Sequence, residues 1–146
     1  MIRRLILVLS LAALFVSWTY AAKQCSNASL HGTYGFHAIA FTVPPSGGPA
    51  TPRAVIGLFT LDGAGNFTTS LTINDNGVIT HPAANASLGT YQINPDCTGT
   101  LSIAVGGTVE IVVVDKGREF YQMRTDPASV VLFSTTKKIS AGAGTD

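Results

Sequence analysis

Few residues of this chain are placed to do chemistry. His37 and Glu110 are the most pointed of them, because each stands alone among apolar neighbours in what reads as a β-strand. Phe36 and Ala38 flank His37, and Val109 and Ile111 flank Glu110. A carboxyl group facing an apolar cavity has a raised pKa and can serve as an acid or a base. On an outward face the same residues are ordinary solvated side chains. Tyr121 and Arg124 lie close together in a later strand. A phenol can hydrogen-bond a ligand there, and the planar guanidinium fork suits a carboxylate. His37, Glu110, Tyr121 and Arg124 are therefore the candidate ligand-binding residues. Arg124 carries a second expectation, that it closes the floor of the fold.

Stronger motifs are missing. The sequence has no Gly-x-Ser-x-Gly, no phosphate loop and no metal-binding histidine pair, so no catalytic residue is assigned. Two cysteines cannot complete a structural zinc site, and His31, His37 and His81 lack the close spacings such sites use. No metal and no cofactor is expected. Asp62-Gly63-Ala64-Gly65-Asn66 lacks the spaced acids and terminal glutamate of a calcium loop and reads as a hairpin turn.

The chain begins with Arg3 and Arg4, an apolar run from Leu5 to Val16, and small residues at Thr19, Ala21 and Ala22. That order describes a secretory signal peptide over residues 1–21, and the run is short of the ~20 residues a membrane-spanning helix needs. The remainder keeps seven basic and eight acidic residues, without a basic cluster. No nucleic acid partner and no membrane span after signal removal are expected. In an exported chain, periplasmic or extracellular, two cysteines pair most simply with each other: Cys25 with Cys97.

Beyond residue 22 the pattern is alternation, β-branched and aromatic residues, and glycine every dozen residues or so. Strands are predicted over Gly32–Phe41, Ala54–Leu61, Asn66–Asn74, Leu88–Ile93, Thr98–Val105, Thr108–Val114, Arg118–Thr125 and Val130–Lys137. Residues 22–138 form one domain in this reading, and residues 139–146 a flexible tail. Between the first two strands, four prolines (Pro44, Pro45, Pro49 and Pro52) exclude a ladder. Val78-Ile79-Thr80 can extend a strand after the Asn76-Gly77 turn.

Eight strands joined in order predict an all-β, antiparallel up-and-down barrel, which leaves no edge exposed. In such a meander Cys25 and Cys97 fall at one end, with the short turns. Both long connections fall at the other end. Tyr34, Tyr91 and His31 then belong near the stapled floor, as packing or structural residues. The competing fold is a β-sandwich. Its buried Trp and the Tyr two residues before the second cysteine are missing here, since Trp18 lies in the signal and Tyr91 is six residues before Cys97.

Gly32-Thr33-Tyr34, after a short N-terminal tail, resembles the Gly-x-Trp signature that opens lipocalin-type barrels, with Tyr in place of Trp. Eight strands without a closing helix are similar to the allene oxide cyclase and dirigent barrels. Cys25-Ser26-Asn27-Ala28-Ser29-Leu30, Asp62-Gly63-Ala64-Gly65-Asn66 and Asn94-Pro95-Asp96-Cys97-Thr98-Gly99-Thr100 together resemble exported bacterial β-barrel proteins. These resemblances imply a fold and carry no activity. The functional expectation is an exported barrel that holds a small apolar or amphipathic molecule. A cyclase- or isomerase-like enzyme using His37, Glu110 or Tyr121 is one alternative. A surface or assembly protein is another, because Val109–Val114 and Val130–Phe133 are apolar on both faces and suit a homo-oligomer.

Overall fold

The computed structural model describes residues 24–83, 87–104, 106–126 and 130–139. The signal segment and nearly all of the tail lie outside them. Nine strands follow a 3-10 turn at Asn27–Ser29: β1 His31–Thr42, β2 Thr51–Asp62, β3 Asn66–Asp75, β4 Val78–Thr80, β5 Ser87–Ile93, β6 Thr98–Ile103, β7 Thr108–Val114, β8 Glu119–Asp126 and β9 Val130–Lys138. All ladders are antiparallel, and β1 pairs with β9 from Tyr34↔Lys138 to Thr42↔Val130. With β2 paired to β3, eight strands close a barrel and β4 is an extra strand beside β3. Closure excludes the sandwich, which would leave two open sheets face to face.

Two differences from the sequence reading have local causes. Pro52 lies inside β2, opposite Phe41. The Pro52 carbonyl accepts from the Asn76 amide at 3.0 Å, so its backbone polar edge faces the β3 side. There the β2–β3 ladder begins only at Arg53, and the missing N–H interrupts no bond to β1. Val78–Thr80 becomes a separate strand because Asn76 (φ 51°) and Gly77 (φ 93°) both adopt the left-handed conformation of a tight hairpin.

Strand period divides each strand into an inner and an outer row. Tyr34, Phe36, Ala38 and Ala40 are buried, while His37 and Ile39 between them are exposed. The inner rows grade in size from floor to mouth. Towards the floor stand Tyr34, Leu61, Phe59, Phe67, Tyr91 and Phe120, all buried. Towards the mouth the same rows continue with Ala40, Val55, Thr69 and Ser134. Phe59 is the hub of this aromatic layer, with ring centroids 4.7 Å from Phe36, 5.5 Å from Phe67 and 6.2 Å from Phe120. These offset and edge-on contacts pack the lower half solid.

Below this layer the N-terminal segment covers the floor. Leu30 is fully buried. The Tyr91 hydroxyl donates to the Leu30 carbonyl at 2.7 Å, and the Tyr34 hydroxyl donates to Gly117 O at 2.7 Å. Burial pushes both phenols above their ordinary pKa, so they stay protonated donors. Asn27 Oδ1 accepts from the Ile93 amide at 2.8 Å. Gly117 (φ +84°) sits against the Ser29 carbonyl, where any Cβ would collide. Cys25 and Cys97 form a disulfide with Cα atoms 5.0 Å apart, at the floor where strand count places them.

Asp62 organises the β2–β3 turn at the same end. Its Oδ1 accepts from the amides of Ala64, Gly65 and Asn66 at 2.7, 2.9 and 2.9 Å, and its Oδ2 from Asn66 Nδ2 at 2.6 Å. The Asn66 side chain first, then these amides, lower its pKa from 3.8 to about 2.

Two outcomes are expected. Replacing Cys25 and Cys97 with serine should lower stability by about 2–4 kcal/mol and leave the strand content intact, because the disulfide mainly restricts the unfolded chain. Calorimetry with circular dichroism measures both, and an unchanged melting temperature would contradict the staple. For Asp62 the folded pKa lies below the unfolded one, so its contribution is present above pH 3.8 and lost as pH falls from there through about 2. Asp62→Ala should therefore melt lower than wild type at neutral pH, with the gap closing near pH 2. A gap independent of pH would show that the ionised carboxylate is not what holds the turn.

Candidate functional site

The size gradient along the inner rows leaves a cavity of about 320 Å³ in the upper half of the barrel, and it reaches the mouth. Its base is the aromatic layer of Phe36, Phe59 and Phe67, and its sides include Val55, Leu71, Ile103 and Leu132. An eight-stranded barrel is just wide enough to fill with side chains or to hold one small ligand. Here side chains fill the lower half, and a cavity occupies the upper half. The volume falls at the lower end of small-molecule pockets, and the largely apolar lining suits an apolar body.

Polar groups enter this lining at two levels. At mid-height Gln122 is buried and donates from Nε2 to Ser134 Oγ at 3.0 Å and to Thr136 Oγ1 at 3.1 Å. Ser134 Oγ in turn donates to the His37 backbone carbonyl at 2.8 Å. Gln122, Ser134 and Thr136 join the inner rows of β8 and β9, and the bond to the His37 backbone adds β1, so these buried polar groups are paired. At the rim stand Arg53 and Arg124. Arg53 pairs with Asp75 at 2.8 Å. Arg124 donates from Nε to Asp126 O at 2.9 Å and from Nη2 to Gly106 O at 3.2 Å. Burial, and then the nearby Arg53 charge, lower the Arg124 pKa from its ordinary value.

The backbone is shaped around Arg124. The β7–β8 register shifts between Thr108, opposite Asp126, and Val109, opposite Arg124. Such a bulge bends a strand and re-aims the side chains beside it. Gly107 has φ +117°, and a Cβ on it would collide with the Arg124 guanidinium. Gly107 thus serves both its backbone angle and the space it leaves, and Gly106 (φ +100°) the backbone angle alone.

Of the four sequence candidates, only Arg124 lines the cavity. It sits at the mouth, so the expectation that it closes the floor is corrected: β8 starts at the floor with Glu119 and has crossed the barrel by Arg124. His37 and Glu110 are exposed on the outer surface, their strand neighbours Phe36, Ala38, Val109 and Ile111 being the buried ones. Tyr121 is also outward and 41% exposed. His37 lines an outer groove over β1 and β2, whereas Glu110 and Tyr121 share another over β7 and β8. The structure does not bring these three to the cavity or to one another as a set.

Arg53, Gln122 and Gly107 were missed as site residues. A signal for Arg53 was present, since it shares the row of Val55, Phe59 and Leu61 on β2, an arginine at the end of an apolar face. Gln122 likewise follows Phe120 by two. Among the described residues no group of histidine, cysteine and carboxylate side chains could hold a metal ion. Comparison with protein-family models, with curated proteins and with solved structures finds no match to this chain.

Proposed function

We propose that this chain is an exported barrel whose upper cavity holds one small apolar or amphipathic molecule. The observation that carries the reading is the cavity of about 320 Å³, apolar at its base and walls and rimmed by two arginines. An apolar molecule seated against this lining would remove apolar surface from water and gain dispersion contacts. Export agrees with the Cys25–Cys97 bond, and no helix among the described residues is long and apolar enough to cross a membrane. Likeness to lipocalin-type barrels is an analogy of fold and adds no more than that. The enzyme alternative loses its motivation, because His37 and Glu110 point away from the cavity.

Titration with the neutral fluorophore N-phenyl-1-naphthylamine should show saturable binding at one site per chain. Val109→Phe, which adds a ring to the cavity wall, should weaken that binding by about tenfold or more while the protein stays folded. Absence of saturable binding by the wild type would overturn the reading.

A second reading, self-association, rests on the outer surface. Ile39, Ile56 and Phe133 are 65%, 62% and 61% exposed. They lie on adjacent strands, with Ile39 directly opposite Phe133 on β9 and Phe133 opposite Met123 on β8. The outer rows of β3 and β6, by contrast, are Thr68, Ser70 and Thr72, and Thr98, Thr100 and Ser102. Val78, Ile79, Leu88 and Val112 are exposed on other strands, but the row across β2, β1, β9 and β8 is continuous. A continuous apolar patch is the mark of a contact face and complements a second copy of itself. Sedimentation velocity over a range of concentrations should show a dimer that Ile39→Lys with Phe133→Glu returns to monomer. A wild-type monomer throughout would remove this reading.

A further inference from the structure

We propose that the barrel mouth is a carboxylate site, at which Arg53 and Arg124 hold the head of a medium-chain amphipath whose tail lies against Phe36, Phe59 and Phe67. The inference rests on the cavity reading above and adds the chemical class of its ligand.

Each arginine is left incompletely matched. Arg53 spends one terminal nitrogen on Asp75, yet its Nε is buried and has no hydrogen-bond partner. Buried donors are nearly always paired, so an orphan at the edge of a cavity asks what group completes it. On the neighbouring strand, the Thr42 hydroxyl is likewise buried and unpartnered at the same end of the barrel. Arg124 is partly buried, and among the described residues it forms no ion pair. It is held by two backbone carbonyls, which fix the direction of the guanidinium without neutralising its charge. The bulge at Thr108 and the bare backbone of Gly107 give it that position. A cation preorganised in this way, and set beside a second cation, gains most from an anion.

Charge balance selects the kind of anion. Asp75 already matches Arg53, and Asp126 acts on Arg124 through its charge but forms no ion pair with it, so the Arg124 guanidinium has no carboxylate in contact among the described residues. A single-charged, planar head that accepts from two forks satisfies it, and a carboxylate is that group. The apolar cavity beneath accommodates a chain and offers a long tail no charge to meet. The head at the rim and the tail on the aromatic layer give a linear amphipath one orientation.

The test is calorimetric titration of the protein, purified after expression with its own leader, with octanoate, 1-octanol and octyl phosphate. Octanoate should bind once per chain and about tenfold or more tighter than octanol, the scale of a hydrogen-bonded charge. Arg124→Gln should abolish that preference by lowering octanoate affinity to that of octanol, with the melting temperature confirming the fold. Asp75→Asn, which releases Arg53 from its partner, should tighten octanoate and not octanol. Equal affinity of the wild type for octanoate and octanol, or a preference that survives Arg124→Gln, overturns the carboxylate site while the apolar cavity stands. Tighter binding of octyl phosphate than of octanoate overturns it in favour of a dianion. Failure of all three to bind removes the cavity reading as well.

Discussion

The ladder between the first strand and the last is the constraint on which the other features depend. β1 and β9 are separated by nearly the whole domain, yet they pair from Tyr34↔Lys138 to Thr42↔Val130. Bringing such distant segments together costs loop-closure entropy before any contact compensates for it. The Cys25–Cys97 bond and the Tyr34, Tyr91 and Asn27 hydrogen bonds reduce that cost by tying the N-terminal segment to the β5–β6 and β7–β8 turns. Once the ring closes, each strand has an inside and an outside. The meaning of every alternating side chain follows from that assignment.

Inside the ring, volume is distributed unevenly. Aromatic side chains crowd the stapled half, and small or polar ones line the other. An evenly filled barrel of this width would be solid. The cavity is therefore a consequence of where Phe59, Phe67 and Phe120 stand relative to Val55, Thr69 and Gln122. The floor is also where the backbone is most firmly hydrogen-bonded, through Asp62 and the two buried phenols. A rigid base under an open upper half suits a binding site, because the base needs little ordering when a ligand arrives.

The rim and the outer surface express the same economy of charge. Only a few cations and anions are spread over the domain, and two of its arginines meet at the cavity mouth. Elsewhere the outer rows of β3 and β6 are polar, whereas exposed apolar side chains stand on β8, β9, β1 and β2 and again on β4, β5 and β7. A wall that sat in lipid would be apolar all round, as transmembrane barrels require. Here polar rows interrupt the apolar ones.

Much of this architecture was legible in the sequence. Period-2 alternation and glycine punctuation located the eight barrel strands to within a few residues, because pleating puts successive side chains on opposite faces whatever the fold. Counting strands then put both cysteines at one end, since an antiparallel meander returns to the same end every second strand. The facing of His37, Glu110 and Tyr121 was not legible. On β1 the row containing His37 also carries Ile39 and Phe41, so both rows look apolar and alternation cannot say which is inside; only closure does. The site was hidden for a related reason. A cavity is space that no residue occupies, set by side-chain volumes on strands far apart in the chain. Likewise Arg53 and Arg124 reach one rim from β2 and β8, two strands that share no ladder. Their meeting is decided by the curvature of the closed sheet, and local sequence carries no record of it.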